Sequence, residues 1–140
     1  MNASNYPMTL FFDGRCPLCV REMRALRRRD RAARLRFADV RAPGFAVPPG
    51  ATLDDMLTAI HARTASGRLV AGVETVRLAY EAVGLGWLLA PTAWRPLRGA
   101  SDRAYAWLAR HRFAVPAWLA LAALGARDRV AACDESHCAP

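Results

Sequence analysis

The chain has 140 residues, of which 54% are hydrophobic, so it is long enough to form one domain around a single buried core. The formal net charge is +8, and every positively charged side chain that contributes to it is an arginine. This charge favours acidic partners, but the sequence contains no recognisable nucleic-acid-binding motif. No apolar run follows a basic start, and the late apolar segment 113–125 is too short and too broken by Pro116 to span a bilayer. We therefore expect a cytoplasmic protein with no membrane span and no specific nucleic-acid partner.

The first predicted elements form a strand–helix–strand unit. Met8–Phe12 is a short apolar run that ends at a turn signal, which is typical of a buried strand. A helix is predicted over Pro17–Arg29, with inward apolar residues at every third position and arginines elsewhere on its surface. The alternating segment 35–40 predicts a second strand. This order within one short stretch predicts a βαβ unit with parallel strands.

The middle of the chain predicts a β-hairpin followed by a helix. Its elements are, in order, a Pro- and Gly-rich loop over 42–50, a helical turn capped by Thr52 and Asp55, a strand over 59–64, a turn at Ser66 and Gly67, and an antiparallel strand over 68–73. The helix that follows is expected to place one apolar face inward, formed by Val76, Ala79, Tyr80 and Val83.

The last third predicts a helical extension over 85–130 and a cysteine-containing tail over 131–140, attached to an α/β core over 8–84. Residues 86–93 are expected to form a buried helical turn. Ser101 is expected to cap a helix that carries Tyr105, and residues 115–124 are expected to form a short apolar helix. Tryptophans at helical positions are expected to pack in the core; these are Trp87, Trp94, Trp107 and Trp118.

The most informative stretch is the first strand–helix junction, which reads Asp13-Gly14-Arg15-Cys16-Pro17-Leu18-Cys19. Two intervening residues bring Cys19 within reach of Cys16, so the pair can close to a disulfide and reopen. The first turn of a helix offers unpaired N–H groups and a positive dipole potential, which stabilise a thiolate. Gly14 allows a tight turn, and Pro17 fits the first helical position. The stretch therefore predicts a redox-active disulfide that needs no other cofactor.

The position of each residue in this stretch predicts its role. Cys16 is nearer the cap and beside Arg15, so we expect it to be the more exposed, low-pKa nucleophile. Cys19 lies a turn deeper and is expected to be the resolving thiol. Asp13 has two interpretations. It either accepts the proton of the buried thiol or organises the turn through backbone hydrogen bonds, and the second is favoured.

A second cysteine pair, Cys133 and Cys138, lies near the C-terminus with four residues between the sulfurs. Three interpretations remain open. The thiols are incidental to an exposed tail, or they form a second redox pair that exchanges with the first, or they join Cys16, Cys19 or His137 around zinc. The long spacing is unusual for a zinc site, so we expect no metal. A small zinc-binding or adaptor module is the alternative to a redox enzyme.

The residues from Phe12 to Cys19 resemble the motif that names the DCC family of predicted thiol-disulfide oxidoreductases, the domain of unknown function 393. The similarity continues through Gly67-Arg68, through Gly72 with its helix, and through the segment 105–113. A Cys-x-x-Cys motif beside a βαβ pattern is also typical of thioredoxin-like proteins.

This resemblance implies an α/β, thioredoxin-like fold with a helical C-terminal extension, and a redox pair at Cys16 and Cys19. It implies a disulfide-containing protein or a small thiol compound as substrate, together with a reductant that the sequence does not identify. Thioredoxins carry a cis-proline before the first strand of the hairpin. That place falls near Thr58-Ala59 here, and neither residue is proline, which indicates a narrower or different substrate.

Overall fold

The computed structural model describes residues 3–114, and the structural statements that follow concern this part of the chain. It contains four strands and five α-helices. The strands are β1 (Met8–Phe12), β2 (Leu35–Asp39), β3 (His61–Arg63) and β4 (Leu69–Ala71). The helices are α1 (Pro17–Arg29), α2 (Leu53–Thr58), α3 (Val73–Ala82), α4 (Gly86–Leu89) and α5 (Arg95–His111).

The strands form one mixed sheet in the order β2-β1-β3-β4. β1 pairs in parallel with β2, with Met8 opposite Leu35 and Phe12 opposite Asp39. β3 pairs antiparallel with both β1 and β4. The predicted βαβ unit, hairpin and following helix are therefore confirmed, and the fold is α/β and thioredoxin-like.

The central strand β1 divides the apolar residues between two faces of the sheet. Met8 and Leu10 are fully buried in a cluster with α1 and α3. Phe11 packs on the opposite side with Val40 and with Met56 of α2. Successive side chains of a strand point to opposite faces, so β1 is held between two helical layers. The carboxyl end of β1 and the start of α1 are thereby fixed.

Three expectations for the last third are wrong. Ser101 does not cap a helix. It lies inside α5, with its hydroxyl donating to the Leu97 carbonyl at 2.9 Å, because the helix begins at Arg95 with a proline in its first turn. Residues 86–93 do form helical turns, but none of them is buried, because these turns lie at the surface. The described tryptophans also lie outside the core. Trp87, Trp94 and Trp107 are 61%, 67% and 56% exposed, because the described residues cover only the inner faces of these helices.

The remaining predictions for the C-terminal part of the chain are not tested by the structure. Trp118, the predicted helix over 115–124 and the tail over 131–140 lie outside the described residues. The domain boundaries proposed at 84 and 130 stay predictions. Within residues 3–114, no helix combines the length and the apolar character that a membrane crossing requires.

Candidate functional site

Cys16 is the N-cap residue of α1. Its backbone is extended, with φ −84° and ψ 110°, and its Sγ accepts a hydrogen bond from the Cys19 N–H at 3.3 Å. Pro17 follows within the first turn, where its missing N–H has no intrahelical partner to lose. Both cysteines are free thiols. A sulfur atom therefore takes the place that Ser or Asp oxygens usually take at a helix start, and a negative charge there is favoured.

The two thiols have different acidities. The pKa of Cys16 is lowered to about 6, because the Cys19 thiol and the Cys19 N–H both donate to its sulfur and the Arg112 guanidinium lies near. Burial and the Asp13 charge act in the opposite direction but are outweighed. The same sulfur–sulfur hydrogen bond, together with burial, raises the pKa of Cys19. At neutral pH, Cys16 is mainly a thiolate and Cys19 a thiol.

The expected order of exposure of the two cysteines is wrong. Cys16 has 0% of its surface exposed, whereas Cys19 is only partly buried. The reason is local, because the Cys16 side chain turns back over the first helical turn to accept the Cys19 N–H. A residue at the cap was expected to point outward, but the hydrogen bond that lowers its pKa also turns it inward.

Asp13 is 2% exposed and receives several hydrogen bonds. Its Oδ1 accepts from the Arg15 N–H at 3.0 Å and from Arg41 Nε at 2.7 Å, and its Oδ2 lies 3.4 Å from Arg112 Nη2. Burial opposes ionisation, but the hydrogen bonds from Arg41 and Arg15 and the two arginine charges outweigh it and lower the pKa of Asp13. A carboxylate held in its ionised form is a weak proton acceptor. These contacts are those of a residue that organises the turn.

Gly14 permits a close approach between this turn and the end of β2. Its N–H donates to Asp39 Oδ1 at 2.9 Å. A Cβ atom at this position would lie 2.0 Å from Asp39 Oδ2, well inside any allowed contact. The neighbouring Arg15 is exposed and contributes its backbone N–H to Asp13. Of the residues predicted around the first cysteine pair, Arg15 therefore contributes its backbone to the turn, while its side chain is exposed.

The sequence interpretation did not assign Arg41, Tyr105 or Arg112 to the site. Tyr105 Oη accepts from the Ile60 N–H at 3.0 Å, and Arg112 Nη2 donates to the Leu57 carbonyl. Both side chains come from the end of the chain that the structure describes, and both reach the backbone that precedes β3. The resemblance over 105–113 was the one sequence signal that pointed to this segment.

The place of the thioredoxin cis-proline belongs to the same backbone. Residues 58–60 contain no proline, and the cis peptide bond within residues 3–114 is Tyr6–Pro7, away from this loop. The Ile60 N–H at this place is instead hydrogen-bonded to Tyr105. The backbone near Thr58-Ala59, where the sequence has no proline, is therefore held by a side chain of α5.

Cys133, Cys138 and His137 lie outside the described residues, so their role as a second redox pair or as zinc ligands stays a prediction. Among residues 3–114, no group of three or more His, Cys, Asp and Glu side chains is arranged to hold a metal ion. The zinc alternative depends on the cysteines of the tail.

Comparisons with known proteins point to one family. Residues 10–118 match the family model described as DCC1-like thiol-disulfide oxidoreductase. A chloroplastic protein of Arabidopsis thaliana, whose name calls it uncharacterized, is 33% identical over 138 residues, which cover 94% of this chain and 64% of the relative. This chain therefore spans less than two thirds of the length of that relative. No solved structure matches the chain.

Proposed function

This chain belongs to the DCC1-like thiol-disulfide oxidoreductase family, and we propose that it carries out dithiol–disulfide exchange with Cys16 as nucleophile and Cys19 as resolving thiol. The family match confirms the resemblance seen in the motif from Phe12 to Cys19. One observation carries the proposal, namely the Cys16 sulfur held at the start of α1 as acceptor of the Cys19 N–H. This contact favours a thiolate at the residue that must attack.

The proposed reaction transfers two electrons to a substrate disulfide. The Cys16 thiolate attacks one sulfur of the substrate, forms a mixed disulfide and releases the other sulfur as a thiolate, which takes a proton from solvent. Cys19 then attacks Cys16 Sγ, and the proton that it loses passes to the departing substrate sulfur, which leaves as the second substrate thiol. The chain is left with a Cys16–Cys19 disulfide, and an external thiol reductant must supply two electrons and one proton to restore the Cys16 thiolate and the Cys19 thiol.

Burial of Cys16 sets a condition on this reaction. Attack requires a substrate sulfur in line with Cys16 Sγ, and Cys16 has no exposed surface. A local opening around the first turn of α1 must therefore precede the attack. Cys19 is already partly exposed, and its N–H is the group that holds the Cys16 sulfur inward.

Two cysteine variants test the proposal. Cys16→Ser is expected to abolish thiol-driven reduction of a model protein disulfide such as that of insulin, because the attacking sulfur is gone. Cys19→Ser is expected to accumulate a mixed disulfide between Cys16 and the substrate, detectable by mass spectrometry, because nothing resolves it. Turnover by Cys16→Ser at the rate of the wild-type protein would refute the assignment.

The substrate and compartment are parts of the same proposal. We propose a disulfide-containing protein or a small disulfide compound as substrate, a thiol reductant as second partner, and a cytoplasmic location. The absence of a proline over residues 58–60 supports a substrate that differs from those of thioredoxins. The chloroplast location in the name of the Arabidopsis thaliana relative is a property of that protein.

A further inference from the structure

Arg112 lies just after α5 and reaches the first cysteine pair from the far end of the described chain. Its Nη2 atom is 3.4 Å from Asp13 Oδ2, across 99 positions of sequence, and the same atom donates to the Leu57 carbonyl. The side chain is 13% exposed, whereas Asp13 is almost completely buried. A guanidinium charge, which arginine carries at all ordinary pH values, is thus held inside the site.

The charges around Cys16 make this position significant. Arg41 also binds Asp13, at 2.7 Å, but it lies beside a second carboxylate, Asp39. Its charge is therefore balanced by two acids. The Arg112 charge lowers the pKa of Cys16, while the Asp13 charge raises it.

The remaining groups near the thiols are protonated and uncharged at neutral pH. These are the Cys19 thiol and the Tyr105 hydroxyl, and burial raises the pKa of Tyr105 while the Ile60 N–H lowers it. Neither group supplies a positive charge. Within the described residues, Arg112 therefore supplies the positive side-chain charge that lowers the pKa of Cys16, in addition to the hydrogen bonds from Cys19.

The position of Arg112 is set by α5. Tyr105 lies seven residues earlier, which is two helical turns, so the two side chains leave the helix on the same face. Tyr105 accepts a hydrogen bond from the Ile60 N–H, and Arg112 donates one to the Leu57 carbonyl. These two hydrogen bonds join the C-terminal part of α5 and the residue after it to the backbone between the end of α2 and β3. The guanidinium is held in register with Asp13 by contacts that involve neither cysteine.

We infer that Arg112 is a positioning residue for the redox site, which holds a fixed positive charge beside Cys16 through its contacts with Asp13 and the Leu57 carbonyl. This inference rests on the proposed thiol–disulfide function and adds a long-range electrostatic partner to it. Because Asp13 is shared between two arginines, the Arg112 charge also offsets part of the repulsion between the buried carboxylate and the thiolate.

The test compares Arg112→Gln with Arg110→Gln in the full chain. Both variants remove one positive charge near the end of α5, but Arg110 is exposed and its Nε donates to the Ala106 carbonyl of its own helix. The pKa of Cys16 is read from ultraviolet thiolate absorbance against pH, with the reacting cysteine identified by alkylation and mass spectrometry. Arg112→Gln is expected to raise the pKa of Cys16 by about half a unit to one unit. Arg110→Gln is expected to leave it unchanged, and Arg112→Lys to restore most of the shift.

An unchanged pKa of Cys16 in folded Arg112→Gln overturns the inference, as does an equal rise in both glutamine variants. If Arg112→Gln does not fold, the wild-type protein decides. The side-chain NMR signal of Arg112 is expected to shift with the titration of Cys16 while that of Arg110 does not, and an unresponsive Arg112 signal overturns the inference. These readouts need no turnover. A protein without disulfide reductase activity would refute the proposed function while leaving the role of Arg112 measurable.

Discussion

Gly14→Ala is the sharpest test of how the turn before Cys16 is built. The added Cβ would lie 2.0 Å from Asp39 Oδ2 and 2.5 Å from Asp39 Cγ, so the carboxylate must move. Asp39 Oδ1 accepts the N–H groups of Gly14 and Arg41, each at 2.9 Å. Gly14 does not adopt a left-handed backbone, so the cost comes from this contact and not from backbone strain.

The magnitude follows from the two hydrogen bonds that the displaced carboxylate gives up. Each contributes about 1 to 1.5 kcal/mol, so Gly14→Ala is expected to lower the free energy of unfolding by about 2 to 3 kcal/mol. For a chain of this size the melting temperature should fall by about 6 to 12 °C. Urea unfolding and thermal melting measure the two quantities. Gly99→Ala within α5 is the matched control, because its Cβ would first meet Arg103 Nη2 at an ordinary 3.7 Å. It should be neutral or stabilise the protein by up to about 1 kcal/mol.

A double-mutant cycle identifies the contact. Asp39→Ala removes the obstructing carboxylate together with its hydrogen bonds, so Gly14→Ala should cost less than about 1 kcal/mol in that background. The reasoning fails if Gly14→Ala costs the same with and without the Asp39 carboxylate. It also fails if the free energy of unfolding of Gly14→Ala lies within about 0.5 kcal/mol of that of the wild-type protein.

Two further predictions concern the charged groups of the site. Cys16 is expected to react with iodoacetamide faster than Cys19 near neutral pH, because its pKa of about 6 makes it mainly a thiolate whenever the local opening of the first turn exposes it. Site-resolved mass spectrometry would contradict this if Cys19 reacted first. Asp13→Asn is expected to lower the free energy of unfolding by about 1 to 3 kcal/mol at pH 7. The pKa of Asp13 in the folded protein lies below its ordinary value of 3.8. The difference in unfolding free energy between the wild-type protein and Asp13→Asn should therefore be constant above pH 3.8 and shrink as the pH falls from 3.8 through the folded-state pKa. Urea unfolding over a pH series measures it, and a difference that persists in strong acid would show that the Asp13 charge is not its source.

Local patterns in the sequence were sufficient for the core of the fold. The bounds of β1 and α1 agree with the apolar run and the proline signal at positions 8–12 and 17–29. Thr52 and Asp55 form both hydrogen bonds of a capping box at the start of α2. In each case the signal and the contact lie within a few residues of each other, so the pattern carries the information directly.

The exposed tryptophans show where periodicity stops being informative. Trp107 lies at a helical position and was expected in the core, yet it is 56% exposed and stacks on His111, with ring centroids 4.6 Å apart. An apolar residue on a helix predicts a buried face only if another element covers that face. The helical period does not say which elements meet, and the described neighbours of α5 are α3, the helical turn over 90–93 and the backbone between α2 and β3.

The contacts of Arg41 and Arg112 with Asp13 could not be predicted from the sequence for a different reason. Arg41 and Arg112 lie 28 and 99 positions from Asp13, and in a chain rich in arginine no local pattern separates them from exposed residues such as Arg24. Their role depends on where the sheet and α5 place them. Since an unpaired carboxylate as deeply buried as Asp13 would be strongly unfavourable, the turn before Cys16 needs these partners in order to form. The chemistry proposed for the first helical turn therefore depends on the packing of the last described helix, and a change in the contacts of α5 should reach the cysteines through Asp13.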